Sequence, residues 1–244
     1  MKILILGATS KIAQETARCF AGGGNDLFLV ARDRTKLDAV AGDLRARGTG
    51  KIESAVLDLA ETARHAALIE SAAKALGGLD AALIAHGTLS DQAACQADFV
   101  AAEQELKTNL LSPVSLCTVL ANFFEAQGSG TLAVIASVAG DRGRQSNYVY
   151  GCAKGGLAIF LQGLRNRLAA KNVSVITIKP GFVDTPMTAS IKKNALFASP
   201  KKVGKRIARA MEKGANEIYV PFFWRGIMAV IKSIPEPIFK KLKL

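Results

Sequence analysis

The chain has 244 residues, half of them hydrophobic, and a formal net charge of +12 at pH 7. A chain of this length can form one large domain with a sizeable buried core. Its four cysteines include no C-x-x-C pair and its two histidines stand apart, so the sequence supports neither a disulfide framework nor a zinc site. We therefore expect no metal, a reducing compartment and a cytoplasmic protein.

The first apolar run, Lys2–Leu6, predicts a strand and is too short for the core of a signal peptide. The segment Gly7-Ala-Thr-Ser-Lys-Ile-Ala13 then predicts a tight turn into a helix that begins near Ile12. Free backbone N–H groups and the helix dipole at such a turn can hold a pyrophosphate. Lys11 has two interpretations, with its ammonium over the phosphates or in solvent.

A second strand is predicted over Asp26–Ala31, and the residue after it indicates the cofactor. An acidic residue there would accept hydrogen bonds from the ribose hydroxyls of NAD, whereas an arginine can pair with the 2′-phosphate of NADP. This chain has Arg32, which predicts NADP; the alternative is a surface arginine. Asp33 is predicted to cap the following helix.

Two histidines follow in the next part of the chain. A strand over residues 52–57 leads to Asp58 and Leu59, and a strand over residues 81–85 leads to His86 and Gly87. His65, at the start of the intervening helix, is interpreted as a surface residue. His86 is interpreted as a structural residue whose ring bonds backbone groups, with a direct catalytic role as the alternative.

The helix around residues 106–120 carries an asparagine and a proline. Asn109 precedes Pro113 by four residues, and proline has no N–H with which to bond the carbonyl four residues before it. We expect a kink at this point and an Asn109 carbonyl without its usual helical partner.

Three residues near the middle of the chain predict chemistry. A strand over residues 131–136 ends at Ser137, and Tyr150 and Lys154 are four residues apart, so on a helix they share a face. A free phenol has a pKa of about 10, and we expect the Lys154 ammonium to favour the phenolate. Ser137 could hold a substrate oxygen while Tyr150 passes it a proton. Tyr148, on a different face, is assigned to packing or substrate contact.

Together with the turn at Gly7, this set resembles the short-chain dehydrogenase/reductase family over roughly residues 1–190. The resemblance implies a single α/β Rossmann domain, a doubly wound parallel sheet flanked by helices. Its members move a hydride between NAD(P) and a carbonyl or an alcohol, and they commonly form dimers or tetramers. The implied catalytic set here is Asn109, Ser137, Tyr150 and Lys154, with a water held between the Asn109 carbonyl and the lysine.

The resemblance also implies contacts to the cofactor. They are expected at Gly7, Thr9, Ser10, Lys11, Ile12, Arg32, Asp58, Leu59, Gly87, Tyr150, Lys154, Pro180, Val183 and Thr185. Asp58 matches a carboxylate that meets the adenine amine, with a loop cap as the alternative. A sixth strand is predicted over residues 173–178, and Pro180, Val183 and Thr185 after it match the segment that holds the nicotinamide carboxamide and a phosphate.

Two segments depart from the family pattern. The phosphate turn of the family has the form Gly-x-x-x-Gly-x-Gly, but this chain has Lys11 and Ala13 at the second and third glycine positions. The family's Asn-Asn-Ala-Gly segment is replaced by Ile84-Ala-His-Gly87, which keeps only the glycine.

The C-terminal region carries most of the charge. From Lys192 onward there are 13 Lys and Arg against 3 Glu. No nucleic-acid motif accompanies this charge, so we expect no nucleic-acid partner. We predict a catalytic domain over residues 1–220 and an apolar, basic tail over residues 221–244, with less than the roughly 20 apolar residues that a membrane span requires.

If the tail is helical, one face is apolar and the other is basic. The apolar face comprises Phe223, Ile227, Val230, Ile231 and Ile234, and the basic face comprises Arg225 and Lys232. This pattern favours peripheral contact with an anionic membrane through the aromatic cluster Phe222, Phe223 and Trp224. The alternative is a helix docked on its own domain or on a dimer partner.

The tail and the segment Gly87-Thr-Leu-Ser-Asp-Gln92 also resemble the keto-reducing half of decaprenylphosphoryl-ribose epimerases, which act on a lipid-linked sugar. Three functions follow as hypotheses. The first is an NADPH-dependent reductase of a lipid-linked carbonyl at the inner face of the membrane, and the second is a soluble reductase of a small ketone or acyl ketone. The third, a non-catalytic NADP-binding regulatory subunit, is disfavoured by the intact set of four catalytic residues.

Overall fold

A computed structural model of the protein describes residues 1–189 and 191–242. Within this part of the chain, one parallel sheet has the strands β1 (Lys2–Leu6), β2 (Asp26–Ala31), β3 (Ile52–Val56), β4 (Ala81–Ile84), β5 (Gly130–Ile135), β6 (Val173–Pro180) and β7 (Glu217–Val220). The strand order is β3-β2-β1-β4-β5-β6-β7, so the direction of winding reverses between β1 and β4. Such sheets bind ligands outside the carboxyl ends of the strands at the reversal. The predicted Rossmann-type fold is confirmed.

Helices cover both faces of the sheet. They are α1 (Lys11–Gly22), α2 (Arg34–Arg45), α3 (His65–Leu76), α4 (Gln92–Ala97), α5 (Phe99–Leu106), α6 (Ser112–Gln127), α7 (Tyr148–Leu168), α8 (Pro200–Glu212), α9 (Trp224–Ser233) and α10 (Glu236–Phe239). Alternate strand residues supply the two cores, because successive side chains of a strand point to opposite faces. Ile3 and Ile5 pack with α1, α2 and α8, while Leu4 and Leu6 pack with α3, α6 and α7.

Each of the six predicted strands lies within two residues of its predicted bounds, because strands covered on both faces are continuous apolar runs. The sequence analysis did not identify α4, α8 and β7. The helix α8 buries Val203, Ile207 and Met211 at four-residue spacing beside its basic residues. It also approaches α1 closely, since a β-carbon on Gly204 would lie 2.6 Å from the β-carbon of Glu15.

Asn109 lies in an irregular part of a long helical segment. A π-helical turn, Lys107–Leu111, joins α5 to α6, and the N–H of Ser112 bonds the carbonyl of Lys107. Pro113 follows as the second residue of α6. The predicted break in the helical bonding pattern is therefore present as a π-turn, a feature that is frequent at functional sites.

The C-terminal segment docks on the domain. Trp224 and Met228 of α9 are buried against Val138, which follows Ser137. A β-carbon on Gly181 would lie only 1.9 Å from the Trp224 indole nitrogen, so the ring needs a glycine at that position. The region after residue 220 thus supports the segments that follow β5 and β6.

Arg142 binds the end of this C-terminal segment. Its guanidinium donates hydrogen bonds to the carbonyls of Ile231 and Ile234 at 2.6 and 2.7 Å and pairs with Glu236 at 2.9 Å. It also stacks over the ring of Phe239, with its central carbon 3.6 Å from the ring centroid. These contacts match the alternative in which the tail docks on its own domain.

One detail of the tail prediction is wrong. Trp224 is 3% exposed, so it cannot insert into a membrane as an exposed aromatic, whereas Val230 of the predicted apolar face is 65% exposed. Lys243, which we counted with the basic residues, lies outside the described residues. No helix in the described ranges is long and apolar enough to cross a membrane. The division at residue 220 stays a prediction.

Candidate active site

Lys154 is a buried cation on α7. Its side chain is 3% exposed, and Nζ donates a hydrogen bond to the carbonyl of Ile135 at 3.1 Å. Burial lowers its pKa from 10.5 to about 8, although the carboxylate of Glu105 opposes this shift. Nζ lies 5.8 Å from the centroid of the Tyr150 ring, so the two side chains share the helix face that their spacing predicts.

Tyr150 lies one turn before Lys154, and its phenol is held in the protonated form. Burial raises its pKa to about 12; the Ser137 hydroxyl lowers it and the Glu105 carboxylate raises it further. We expected the Lys154 ammonium to favour the phenolate, and this expectation is wrong for the protein alone because burial dominates. The arrangement therefore suits Tyr150 as a proton donor.

Ser137 follows β5 and begins the short 3₁₀ turn Val138–Asp141. Its hydroxyl oxygen accepts a hydrogen bond from the backbone N–H of Ala139 at 3.1 Å. This bond fixes the oxygen at the carboxyl end of the sheet and leaves the hydroxyl proton available to another acceptor. Ser137 and Tyr150 thus come together as the sequence predicts, each at the start of its element.

Asn109 is fully buried and is joined to the segment after β4. Its amide nitrogen donates to the carbonyl and hydroxyl of Thr88 at 3.2 and 3.0 Å, and its oxygen accepts from the Thr88 N–H at 3.3 Å. Gly87 lies between Asn109 and Lys154, since a β-carbon on it would be 2.6 Å from the asparagine oxygen and 3.4 Å from the lysine Nζ. The four predicted catalytic residues are therefore assembled at one end of the sheet.

The phosphate turn requires its glycine. Gly7 has a φ of +84°, and a β-carbon there would lie 2.6 Å from the backbone nitrogen of His86. Ser10 precedes the first turn of α1, and its side chain makes no capping hydrogen bond. The first N–H groups of α1, those of Lys11, Ile12 and Ala13, therefore face a region where a phosphate can bind.

Lys11 and Thr185 meet across a cleft of about 440 Å³. The cleft is also lined by Asp184, Pro186, Ala189, Lys193 and Pro200. Lys11 is exposed at the first position of α1, so its ammonium has freedom to reach a phosphate at the helix end. The structure thus brings two predicted cofactor residues, Lys11 and Thr185, to one site. Thr9 and Ser10 directly precede Lys11 in the turn after β1.

Arg32 and Asp58 end neighbouring strands at the same edge. Arg32 is exposed, and its side chain has no hydrogen-bond or ion-pair partner within residues 1–189 and 191–242. The Asp58 carboxylate accepts a hydrogen bond from the N–H of Ala60 at 2.9 Å, which is the loop cap that we gave as the alternative. Its second oxygen leaves an acceptor for an adenine amine.

His65 is buried, and the surface assignment is wrong. Its Nδ1 lies 2.9 Å from the Ser115 hydroxyl, and its Nε2 lies 3.1 Å from the carbonyl of Leu59. His86 bonds a side chain through Nε2, 2.9 Å from the Ser112 hydroxyl. Burial lowers the pKa of His86 to about 3, with Lys154 adding to the shift, so the ring is neutral and suits a structural role.

The segment after β6 is held on both sides. Pro180 is buried at the end of the strand, and Val183 is 3% exposed and forms a β-bridge with Ala198. The hydroxyl of Thr188 donates to the carbonyl of Val183 at 2.6 Å and accepts from the N–H of Thr185. This segment is thus ordered next to the cleft that Lys11 lines.

A buried ion network, which the sequence analysis missed, lies behind Ser137. The Lys179 Nζ is 2.8 Å from carboxylate oxygens of both Asp141 and Glu217, and the Tyr219 hydroxyl donates to Asp141 at 2.7 Å. Burial alone would lower the pKa of Lys179, but the two carboxylates raise it above its ordinary value. The network joins the turn after Ser137 to β6 and β7.

Glu105 is a further buried residue of the site that the sequence analysis missed. It is 1% exposed and lies on α5, one turn before Asn109, where its carboxylate accepts a hydrogen bond from the Thr88 hydroxyl at 2.7 Å. The signal was present in the sequence, because an acid four residues before Asn109 shares its helix face. Burial of a charged residue at that position could not be read from the chain alone.

The sequence matches the family described as short chain dehydrogenase over residues 1–196. An uncharacterized oxidoreductase of Mycobacterium tuberculosis, Rv2073c, is 33% identical over 240 residues, which cover 98% of this chain and 96% of the relative. A 3-oxoacyl-[acyl-carrier-protein] reductase of Bos taurus is 29% identical over 192 residues, with 79% of each chain covered.

A solved structure has the same fold. It is a putative short-chain alcohol dehydrogenase from Sinorhizobium meliloti, with a TM-score of 0.82, 20% sequence identity, and coverage of 92% of this chain and 96% of that chain. At this identity the likeness concerns the fold alone.

Proposed function

Since the chain belongs to the short-chain dehydrogenase family, we propose that it is an NADP(H)-dependent oxidoreductase that reduces a carbonyl group. The assembly of Asn109, Ser137, Tyr150 and Lys154 at the carboxyl ends of β4 and β5 carries this proposal. A non-catalytic regulatory subunit would have no need of a buried lysine next to a half-buried phenol, because a buried cation without an ion-pair partner lowers the stability of the fold.

The residues of this site have separate parts in the reaction. When bound, NADP(H) supplies the hydride that adds to the carbonyl carbon. The Ser137 hydroxyl holds the carbonyl oxygen, and Tyr150 donates its phenolic proton to that oxygen as the π electrons move onto it. Lys154 places a positive charge beside the phenolate that remains, and Asn109 and Gly87 fix the lysine's surroundings.

The selection of NADP over NAD rests on Arg32. It is exposed at the end of β2, where a 2′-phosphate could form charge-assisted hydrogen bonds with its guanidinium. The pyrophosphate would lie at the N-terminus of α1, with Lys11 and Thr185 beside it. The fit of Gly7 against His86 supports this position, because it keeps the turn close to the sheet.

Turnover of Tyr150→Phe tests the proposal. NADPH consumption is measured with a panel of keto sugars, cyclic ketones and ketoacyl thioesters, and the variant should lose at least about 100-fold in kcat, the lower range for general acid catalysis. Tyr148→Phe is the matched control, because Tyr148 is 44% exposed at the start of the same helix. A Tyr150→Phe enzyme that keeps most of the rate would contradict the proposal.

A polar substrate is supported by three buried side-chain atoms near Tyr150. Gln92 Nε2, Arg144 Nε and Asn147 Oδ1 have no hydrogen-bond partner within the described ranges. The Gln92 amide oxygen accepts from the N–H of Val149 at 3.1 Å, which brings it next to Tyr150. Buried polar groups that need partners favour a substrate with hydroxyl groups, such as a keto sugar.

A lipid-linked form of that substrate is supported by the surface of the tail. Phe222, Val230 and Ile238 are 80%, 65% and 56% exposed, respectively. Exposed basic residues lie on the same segment: Arg225, Lys232, Lys240 and Lys241. We place this surface at the inner face of an anionic membrane, where each basic residue adds about 1 kcal/mol and salt weakens the attachment.

Co-sedimentation with anionic and neutral vesicles tests the membrane contact. The double variant Phe222→Ser with Val230→Ser should bind anionic vesicles less tightly than the wild type at low salt. Val100→Ser is the matched control, because Val100 is 66% exposed on α5, outside the tail. Equal binding by the double variant, or no binding by the wild type, would exclude the membrane role. Removal of the tail is unsuitable, because it would uncover the site of Trp224.

The second candidate is a soluble reductase of an acyl ketone, which the bovine relative favours. Only the first candidate predicts an effect of Gln92→Leu. This variant should lower kcat/KM for a keto sugar by at least about tenfold, as expected when a polar contact to a substrate hydroxyl is lost. A wild type that prefers ketoacyl thioesters, with an unchanged kcat/KM for them in the variant, would favour the second candidate.

We also propose a homodimer or homotetramer. The outer faces of the helical segments around the site keep exposed apolar residues, among them Leu111 at 53% and Ile159 at 69%. Light scattering coupled to size-exclusion chromatography should give twice or four times the mass of one chain, and a monomer would exclude this assembly.

A further inference from the structure

Glu105 is a buried acid that the reaction described above does not use. Its side chain is 1% exposed. The Oε2 atom accepts hydrogen bonds from the hydroxyls of Thr88 and Ser90. The Oε1 atom is buried and has no hydrogen-bond partner within residues 1–189 and 191–242. A buried carboxylate with one free oxygen lowers the stability of the fold, so its presence beside the catalytic residues calls for a functional reason.

The hydrogen bonds are donated in one direction, from Asn109 through Thr88 to Glu105. A carboxylate only accepts, so the Thr88 hydroxyl must donate its proton to Glu105. The lone pair of Thr88 then accepts from the amide nitrogen of Asn109 at 3.0 Å. The same amide nitrogen donates to the backbone carbonyl of Glu105 at 3.3 Å. Glu105 thereby sets which end of the Asn109 amide faces Gly87.

Lys154 lies on the other side of Gly87. Its Nζ donates to the neutral carbonyl of Ile135, and no carboxylate of the described residues forms an ion pair with it within 4.0 Å. The charge of Glu105 nevertheless acts on the catalytic pair. It raises the pKa of Lys154 against the effect of burial, and it raises the pKa of Tyr150 in addition to burial.

The other titratable groups around Glu105 do not supply this charge. His86, at the end of β4, is neutral because its pKa is lowered to about 3. Lys107, in the π-turn, is exposed and pairs with Glu103 at 3.2 Å. The helix α4, which packs on α5, contributes the buried thiol of Cys95 and no charged side chain.

We propose that Glu105 is a positioning residue, which through Thr88 and Asn109 holds a negative charge across Gly87 from Lys154, so that the enzyme, working as proposed above, favours carbonyl reduction over alcohol oxidation. Reduction adds a hydride to the carbonyl carbon and moves the π electron pair to oxygen, which takes the Tyr150 proton; solvent then restores the phenol. Oxidation instead needs a Tyr150 phenolate to accept the alcohol proton. A nearby negative charge opposes the phenolate and stabilises the ammonium.

The first measurement needs no substrate. Acetylation of Lys154 by acetic anhydride is followed against pH by mass spectrometry of its peptide, because only the neutral amine reacts. The wild-type midpoint should lie near pH 8. Glu105→Gln removes the charge and keeps the shape, so its midpoint should fall by on the order of 1 pH unit. An unchanged midpoint would overturn the proposal.

Two further variants separate charge from structure. Glu103→Gln removes an exposed acid of the same helix and should leave the midpoint in place; an equal shift there would also overturn the proposal. Glu105→Asp keeps the charge while its shorter side chain weakens the bonds to Thr88 and Ser90, so its midpoint should stay near that of the wild type. Should the Gln variant not fold, the Asp variant still tests the proposal, since an Asp midpoint shifted by about 1 unit would overturn it.

The second measurement is the pH profile of kcat for reduction and for oxidation. In Glu105→Gln, the alkaline limit of reduction should move down with the Lys154 midpoint, and the ratio of reduction to oxidation at one pH should fall. Ser90→Ala removes a hydrogen bond without a charge and should leave the limit in place. The proposed function fails separately, if Tyr150→Phe retains turnover, whereas this inference fails if the limit does not move.

Discussion

The catalytic end and the phosphate end of this site are built in opposite ways. At the ends of β4 and β5, the side chains of Asn109, Glu105 and Lys154 are at most 3% exposed, and each bonds another part of the protein. At the ends of β1 and β2, Lys11 and Arg32 are exposed, and neither side chain has a partner among the described residues. The protein thus orders the first group itself and leaves the second group to be ordered by a ligand.

Because of this difference, substitutions at the two ends should act on different properties of the protein. A group that is fixed before the ligand arrives needs no reorganisation during the reaction, but its burial lowers the stability of the fold. A group that is exposed adds little to stability and acts through affinity. Changes at the catalytic end should therefore alter stability and turnover together, while changes to Lys11 or Arg32 should alter binding alone.

Gly7 is an exception to this division, because it is a rigid residue at the phosphate end. Gly7→Ala places a side chain at a φ of +84° and 2.6 Å from the backbone of His86. We expect a loss of about 4 kcal/mol in the free energy of unfolding, from the left-handed backbone and the overpacking together. Urea denaturation measures it. Gly42→Ala, in α2 with no atom near the added carbon, should be neutral or stabilising.

Lys154→Met tests how much the buried ammonium at the catalytic end lowers the stability of the fold. The folded state lowers the pKa of Lys154 from 10.5 to about 8, so burial of the ammonium opposes folding. At pH 7 the variant should be more stable by about 3 kcal/mol, because one pKa unit corresponds to about 1.36 kcal/mol. The penalty in the wild type is complete below pH 8 and disappears as the pH rises toward 10.5.

Urea denaturation of both proteins between pH 7 and pH 9.5 checks this prediction. The wild type should gain stability relative to the variant as the pH rises through 8, the folded-state value. A constant difference across this range would show that Lys154 does not lose its proton in the folded protein. The variant should also lose turnover, which separates its effect on stability from that on catalysis.

Arg142→Gln tests whether the tail belongs to the catalytic end. The variant loses the charged hydrogen bonds to Ile231 and Ile234 and the stacking on Phe239. We expect the local opening free energy of residues 224–239 to fall by about 2 kcal/mol, the size of a charged hydrogen bond. Hydrogen exchange followed by mass spectrometry measures this. Arg47→Gln, which removes a surface ion pair with Asp43, should leave the exchange of these residues unchanged.

Arg32→Ala is expected to have the smallest effect, and on affinity alone. The wild type should bind NADPH at least tenfold more tightly than NADH, a difference of about 1.4 kcal/mol, and the variant should bind both about equally. Calorimetric titration measures the four affinities. Lys74→Ala, an exposed cation on α3, is the control for net charge. Equal affinities in the wild type would contradict the assignment of NADP.

The sequence predicted the fold well where burial has a simple pattern. Strands β1 to β6 are apolar runs between turns, and Tyr150 and Lys154 share a face through their spacing alone. The edge strand β7 was missed because four residues that begin with Glu217 give little signal. The stripe of Val203, Ile207 and Met211 in α8 was visible, but the basic residues around it drew the interpretation toward charge.

Buried polar residues were the hardest to predict. His65 was assigned to the surface because its partners are a backbone carbonyl, that of Leu59, and a hydroxyl 50 residues away, that of Ser115, and neither leaves a signal in the helix pattern. The burial of Glu105 depends likewise on the hydroxyls of Thr88 and Ser90. The predicted direction of the Tyr150 pKa shift was wrong. The spacing shows that a lysine is near, but it does not show how much water both side chains have lost.

The contact of Trp224 with the turn after Ser137 also determines when this turn can become ordered during synthesis. Residues 224–239 are translated after Ser137, Tyr150 and Lys154, at about 5–20 residues per second. Until they emerge from the ribosome, Gly181 and Val138 lack the indole that packs on them, and Arg142 lacks the carbonyls that it bonds. A nascent chain that already has strands β1 to β6 would therefore gain an ordered catalytic turn only when residues 224–239 have emerged.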